Sequence, residues 1–273
     1  MRTAFVAAVV TATTAALAFL ALPLAALFVR VPPRDLVHAL GSSAFRDALL
    51  VSVRTSAVAH ALVLAVGTPA AYALARARFR GRTLVLALTE LPLVLPPAVA
   101  GVALLATFGR SGLLGGELGA LGISIPFTEA AVVLAVAFVE SPFYLRGAIA
   151  AFEAVDESLL EAARTLGARS PKVFARVALP LAATGLGAAS AVALARGLGE
   201  FGATIIFAGS LQRVTQTLPL AIYAQFDQDF DVALAISALF VLAGAVILVT
   251  LKLLPRWRSL SISPYRFARS TSS

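Results

Sequence analysis

Apolar residues run along this chain in long blocks, and the polar positions fall between the blocks rather than alternating with them. Six blocks stand out, at residues 4–29, 48–75, 84–108, 130–149, 179–208 and 232–254. A helix needs roughly 20 apolar residues to cross the hydrocarbon core of a bilayer. The pattern therefore predicts an all-α polytopic membrane protein with six transmembrane helices. Three blocks are interrupted: the second by Arg54 and His60, the third by Pro92, Pro96 and Pro97, the fifth by Arg196 and Glu200. The first follows Arg2, as a secretory signal would, but a signal core is about 7–15 residues. This run is 26 residues long and no polar region follows it, so it reads as a retained helix.

The segment between the fourth and fifth blocks, residues 151–179, has a different pattern. Leu159, Leu160, Ala163 and Leu166 recur at spacings of three and four, which predicts a short amphipathic helix. Asp156 or Glu157 can start it and meet its positive end. Gly167 suits the left-handed position that ends it, and Ser170-Pro171 opens a new segment. A helix lying flat on a bilayer favours Lys and Arg. This one carries Glu153, Asp156, Glu157 and Glu161, which favours a protein partner.

Composition agrees with the spans. Of 273 residues, 60% are hydrophobic and 13% charged, against about 25% charged in soluble domains. Disordered chains are polar and highly charged, so disorder is excluded. The absence of cysteine rules out disulfides, thiolate metal sites and a cysteine nucleophile. Two histidines, His38 and His60, make a zinc cluster improbable. The net charge of +8 could suggest nucleic acid, but its distribution points elsewhere. Fifteen Lys and Arg residues fall on one set of loops and termini, among them Arg76, Arg78, Arg80 and Arg82, and five on the other. The positive-inside rule then places both termini in the cytoplasm and makes residues 151–179 a cytoplasmic loop, without nucleic acid.

Several motifs carry a resemblance. Glu161-Ala162-Ala163, Gly167 four residues later, and Leu179-Pro180 downstream resemble the EAA loop of ATP-binding cassette (ABC) importer permeases. Leu91 to Pro97 with Gly101 is similar to the third-span motif of molybdate-type permeases. Phe108 to Gly115, followed by Ile125-Pro126-Phe127-Thr128, resembles the external loop of that group. Gly199 to Thr204, Phe207-Ala208-Gly209, Thr215 to Pro219 and Ile222-Tyr223 resemble its fifth span and following loop. Tungstate and sulfate permeases share much of this pattern.

The resemblance implies a non-catalytic permease subunit of a multi-pass inner membrane importer, with no cofactor of its own. It implies a coupling helix between spans four and five that docks on an ABC ATPase subunit through Glu161, Ala162, Ala163, Leu166 and Gly167. Two ATPase copies, an external substrate-binding protein and a second permease copy, forming a homodimer, complete the assembly. Molybdate is the first expected cargo, then tungstate, then sulfate. The chain divides into a first helix and external loop (1–45), a permease core (46–254) and a basic tail (255–273).

The remaining motifs are weighed against plainer readings. Gly197 to Gly202 has the form G-x-G-x-x-G, but it lacks the strand and βαβ context of a dinucleotide site. Small residues in an apolar helix serve close packing, here near the pathway or an interface. Arg196 and Glu200, four apart, share a helix face and either pair or line the pathway. Glu90 and Glu140 lie near span ends and read as positional. Pro96 and Pro97 free carbonyls in the third span, which suits a kinked helix beside a cavity or a bent helix packed among neighbours. Asp227, Asp229 and Asp231 have the spacing of a calcium loop, but Val232 and Ala238 stand where Gly and Glu are required. Asp231 as the N-cap of span six is the plainer account. No Walker sequence is present, so ATP hydrolysis would fall to a separate subunit. A secondary transporter or channel would explain the spans but not the acidic loop. An intramembrane enzyme lacks candidate catalytic groups.

Overall fold

A computed structural model describes residues 2–253. In chain order the helices are α1 (Arg2–Arg30), α2 (Pro33–Gly41), α3 (Ser43–Arg76), α4 (Arg82–Val94), α5 (Pro97–Phe108), α6 (Gly115–Ala120) and α7 (Glu129–Glu153). They continue as α8 (Glu157–Thr165), α9 (Ser170–Val173), α10 (Leu179–Leu198), α11 (Gly202–Phe207), α12 (Leu218–Phe226) and α13 (Phe230–Leu253). The basic tail at 255–273 lies outside the described residues. Among the described residues, five helices are long and apolar enough to cross a membrane, or six if the bent pair α4–α5 is one span.

Two of the expected spans need correction. The third is not one kinked helix over 84–108. Helices α4 and α5 meet at 113°. Leu95 and Pro96 are both extended, because each precedes a proline and the following ring disfavours the helical region. Pro97 then opens α5 at its first turn, where a missing N–H costs nothing. The fifth span does not run over 179–208. Its helix begins at Ser170, passes through a π-helical turn over Phe174–Ala178, and stops at Leu198. Pro180 cannot donate to the carbonyl four residues back and its ring crowds it, so a wider turn just before it relieves the clash. Helix α13 is capped by Asp229 rather than Asp231: its carboxylate accepts from the N–H groups of Asp231 and Val232, each at 3.1 Å.

The chain forms two compact units. Among the described residues, one comprises 2–54 and 209–245, the other 55–208 and 246–253. In the first, Phe45 and Ala48 of α3 pack with Leu218 and Ala221 of α12 and Ile236 of α13. Asp47 accepts from Gln212 Nε2 at 2.9 Å and Arg213 Nε at 3.0 Å, and Ser52 Oγ accepts from the Leu218 N–H at 2.8 Å. These bonds hold the loop 209–217 onto the start of α3. Helix α1 is apolar and exposed along its length, a surface suited to lipid.

In the second unit, α7 and α10 pack side by side through small residues. A Cβ on Gly147 would lie 2.6 Å from Ala189 Cβ, and one on Gly185 2.6 Å from Ala151 Cβ. The helix backbones approach too closely for any larger side chain, which is how membrane helices associate when lipid removes the hydrophobic drive. Tyr144, Phe152, Leu160, Val173 and Ala193 belong to the core beside this contact.

Candidate functional site

The loop after α7 builds an exposed helix on a fixed base. The Asp156 carboxylate accepts from the Ser158 N–H at 2.9 Å and caps α8. That backbone donor, with the Ser158 hydroxyl, holds the Asp156 carboxyl below the usual carboxylate range. The cap's contribution is thus present at neutral pH and fades as pH falls through the lowered value. Leu160 is fully buried and ties α8 to the core. Leu159 is 48% exposed and Leu166 88% exposed, so the apolar stripe read from the sequence splits into one buried anchor and a face presented outward. Glu161 and Ala162 are exposed with it, and Ala163 is half-buried against the core.

Gly167 ends the helix at φ +84°. Its N–H donates to the Arg164 carbonyl at 2.9 Å, and the Ala168 N–H donates to the Ala163 carbonyl at 3.0 Å. These are the two bonds of a Schellman turn, which needs a left-handed residue at this position. Beneath the loop, Tyr72, Phe152 and Phe174 form an aromatic cluster with ring centroids 4.9–6.2 Å apart. Arg76, at the end of α3, donates to the carbonyls of Phe152 at 2.7 Å and Val155 at 2.9 Å. It adds a charged donor to the carbonyls at and just beyond the C-terminal end of α7, where the helical pattern runs out. Arg82 pairs with Glu153 at 2.5 Å and Arg78 with Glu157 at 3.4 Å. Sequence reading assigned these arginines only to topology. The structure also makes them the tether between the α3–α4 turn and the start of α8.

The second group of candidate residues lies at the break after α10. Arg196 and Glu200 do not share a helix face, because the helix stops at Leu198. They pair nonetheless: Arg196 Nη1 lies 3.0 Å from Glu200 Oε2, with the Glu200 side chain 1% exposed. Glu200 Oε1 accepts from the Ala203 N–H at 2.8 Å, at the start of α11. One carboxylate therefore joins both sides of the break. Gly202 lies against Pro97, and a Cβ on it would come 2.5 Å from Pro97 Cβ. Gly101 lies against the Ala203 carbonyl, at 2.8 Å for an added Cβ. The broken pair α4–α5 and the break α10–α11 thus meet through Pro97, Gly101 and Gly202. Gly199 has no such close neighbour, the nearest atom to an added Cβ being 3.9 Å away.

A third cluster was missed in the sequence. Glu140 is not positional: it is fully buried in the middle of α7. Its Oε1 pairs with His60 Nδ1 on α3, and His60 Nε2 lies 2.8 Å from Ser190 Oγ on α10. The signal was a carboxylate and a histidine each deep inside an apolar block, where ionisable groups need a partner. Their separation of 80 residues hid the pairing. The arrangement has the connectivity of a Ser-His-acid triad, yet Ser190 sits inside a helix whose N–H groups are consumed by helical bonds. Such a serine has no oxyanion donors beside it, and acyl transfer depends on them. The cluster is a polar tie among three helices. Among the described residues no group of three or more His, Cys, Asp or Glu is placed to hold a metal ion.

Comparison with known proteins gives a consistent result. Residues 65–258 match the family described as binding-protein-dependent transport system inner membrane component. The molybdenum transport system permease protein ModB of Mycobacterium tuberculosis is 45% identical over 235 residues, 86% of this chain and 89% of that protein. A probable molybdenum ABC transporter permease protein of Haloferax volcanii is 39% identical over 235 residues, 84% of this chain and 83% of that protein. Among solved structures, a bacterial ABC transporter involved in the import of the acidic polysaccharide alginate aligns with TM-score 0.70 at 17% identity. It covers 90% of this chain and 91% of that one. The inward-facing MetNI methionine ABC transporter aligns with TM-score 0.59 at 19% identity, covering 75% and 91%. At those identities the two structures speak for the fold alone. The family match over most of the chain carries more: the chain belongs to the binding-protein-dependent transport system inner membrane components, the non-catalytic permease subunits of ABC importers.

Proposed function

We propose that this chain is the permease of a molybdate importer. The observation that carries the reading is 45% identity, along 89% of its length, to a relative named for molybdenum transport. Importer permeases of this kind work with an ATPase and a substrate-binding protein. In our reading two copies of this chain form the pathway and two ATPase subunits bind below it. Exposed Glu161, Ala162 and Leu166, with the Gly167 turn, meet the ATPase cleft, while Ala163 seats the helix on its base. Arg196, Gly199, Glu200, Gly202, Pro96 and Pro97 form the constriction that the movement opens. Nucleotide binding closes the ATPase pair, and the difference in affinity between the two conformations drives the pathway from inward to outward.

The test is uptake of isotopic molybdate into vesicles holding the complete transporter. ATP-dependent uptake is expected, with unlabelled molybdate competing best, tungstate next and sulfate least. Preferential competition by sulfate would reassign the cargo, and uptake without ATP would reject the ABC mechanism. Orientation follows from the arginines. A reporter near Arg80 or Ser170 is expected in the cytoplasm and one near Gly116 or Gln212 outside. Gly116 and Ser170 on the same side would refute the six-span topology.

A further inference from the structure

The turn between α3 and α4, beside its tether to α8, leaves an open, shallow cleft that coupling does not explain. It holds about 570 Å³ and is lined by Ala75, Ala77, Phe79, Arg78, Arg80, Arg82 and Glu153. Three arginines face one glutamate there. Arg82 is committed to Glu153 and to the Leu74 carbonyl, at 2.5 and 3.0 Å. Arg78 makes only a 3.4 Å contact with Glu157, and its side chain is 90% exposed. A pair that open to solvent contributes little. Among the described residues Arg80 has neither an ion pair nor a hydrogen bond. Cationic capacity is therefore left over in a shallow depression open to its surroundings.

The rest of the lining is apolar, and Phe79 stands 46% exposed between Arg78 and Arg80. An exposed phenyl ring flanked by guanidinium groups is poorly suited to water. It suits the boundary where acyl chains give way to headgroups. Position agrees: Arg76 ends one apolar helix and Arg82 begins the next, so the turn sits at headgroup depth. Basic clefts at the cytoplasmic ends of membrane helices are where anionic lipid headgroups bind.

We infer that this cleft is a binding site for the phosphodiester headgroup of an anionic phospholipid, with Arg78 and Arg80 on the phosphate and Phe79 against the acyl region. Placing it on the cytoplasmic leaflet rests on the topology proposed above; the binding itself does not. A phosphate on Arg78 competes with Glu157, the first residue of α8, so headgroup occupancy would loosen one strand of the tether beneath the coupling helix.

The experiment is native mass spectrometry of the permease purified with its ATPase, in detergent, titrated with phosphatidylglycerol or with phosphatidylcholine. Neither orientation nor transport enters the readout, so the result is independent of the topology and cargo assignments. Wild type is expected to retain phosphatidylglycerol over phosphatidylcholine. Replacing both Arg78→Gln and Arg80→Gln should weaken that retention on the order of thirtyfold, while Arg78→Lys with Arg80→Lys should keep most of it. Equal retention of the two lipids by wild type would overturn the proposal without need of any variant. So would unchanged selectivity in the glutamine variant, or displacement of the lipid by millimolar inorganic phosphate, which would make the cleft a site for free oxyanions.

Discussion

Replacing Ala162 with tryptophan is expected to leave the permease folded and inserted but to weaken its hold on the ATPase by roughly one to two orders of magnitude. Ala162 is exposed on α8, on the side opposite the buried anchor Leu160, so a large ring there meets no atom of the permease core. In a close-packed contact, forced overpacking costs about 1–3 kcal/mol, which is roughly a five- to hundredfold loss of affinity. Ala163 is a poorer test site, since it packs against the core of its own chain. The measurement is co-purification of the ATPase, with thermal stability of the detergent-extracted permease as the control. A variant that retains wild-type ATPase binding and uptake would mean that α8 is not the docking element.

Gly167→Val belongs to the same argument and acts differently. Nothing lies within 4 Å of an added Cβ at Gly167, so the penalty comes from φ +84° alone. A β-branched residue there costs about 1–2 kcal/mol, and it acts on the turn that sets where α8 ends. Weakened coupling with most of the ATPase retained is the expected result, against the larger loss of binding for the tryptophan.

Why the turn was legible and the breaks were not follows from the physics of each. The Gly167 turn depends on one residue's backbone freedom and on a local hydrogen-bond pattern, and both are written within a dozen residues. The apolar blocks were equally local, since burial in lipid needs only length and composition. The 113° bend at Leu95 and Pro96 was half visible. Three prolines announce a disturbance, but the direction the chain takes afterwards depends on Gly202 receiving Pro97, about a hundred residues away. The His60–Glu140–Ser190 tie was invisible for the same reason. A buried ionisable residue says that a partner exists, and only the packing of α3, α7 and α10 says which. The π-helical turn before Pro180 was also missed, although its cause is local.

The break after α10 carries the last expectation, because one carboxylate does two tasks there. Glu200 Oε2 neutralises Arg196 and Oε1 caps the start of α11. Glu200→Gln keeps an oxygen for the Ala203 N–H but sets an amide NH2 where Oε2 faced Arg196, so both the charge and the acceptor for the guanidinium are lost. Arg196→Met removes the cation and leaves a carboxylate in a site where its side chain is 1% exposed. Uncompensated buried charge costs about 3–5 kcal/mol, and the figure here belongs at the lower end because the Arg196 side chain is 32% exposed. The double variant removes both charges together and should recover part of that loss. Single and double variants are compared by thermal unfolding of the extracted permease, giving a coupling between the two sites of about 0.5–3 kcal/mol. Additive effects would reject a direct contact. Glu200→Ala removes both tasks at once, so uptake should fall most in that variant while the ATPase still co-purifies, since α8 and its anchor are untouched. Loss of the ATPase together with uptake would place Glu200 in the coupling path rather than at the constriction.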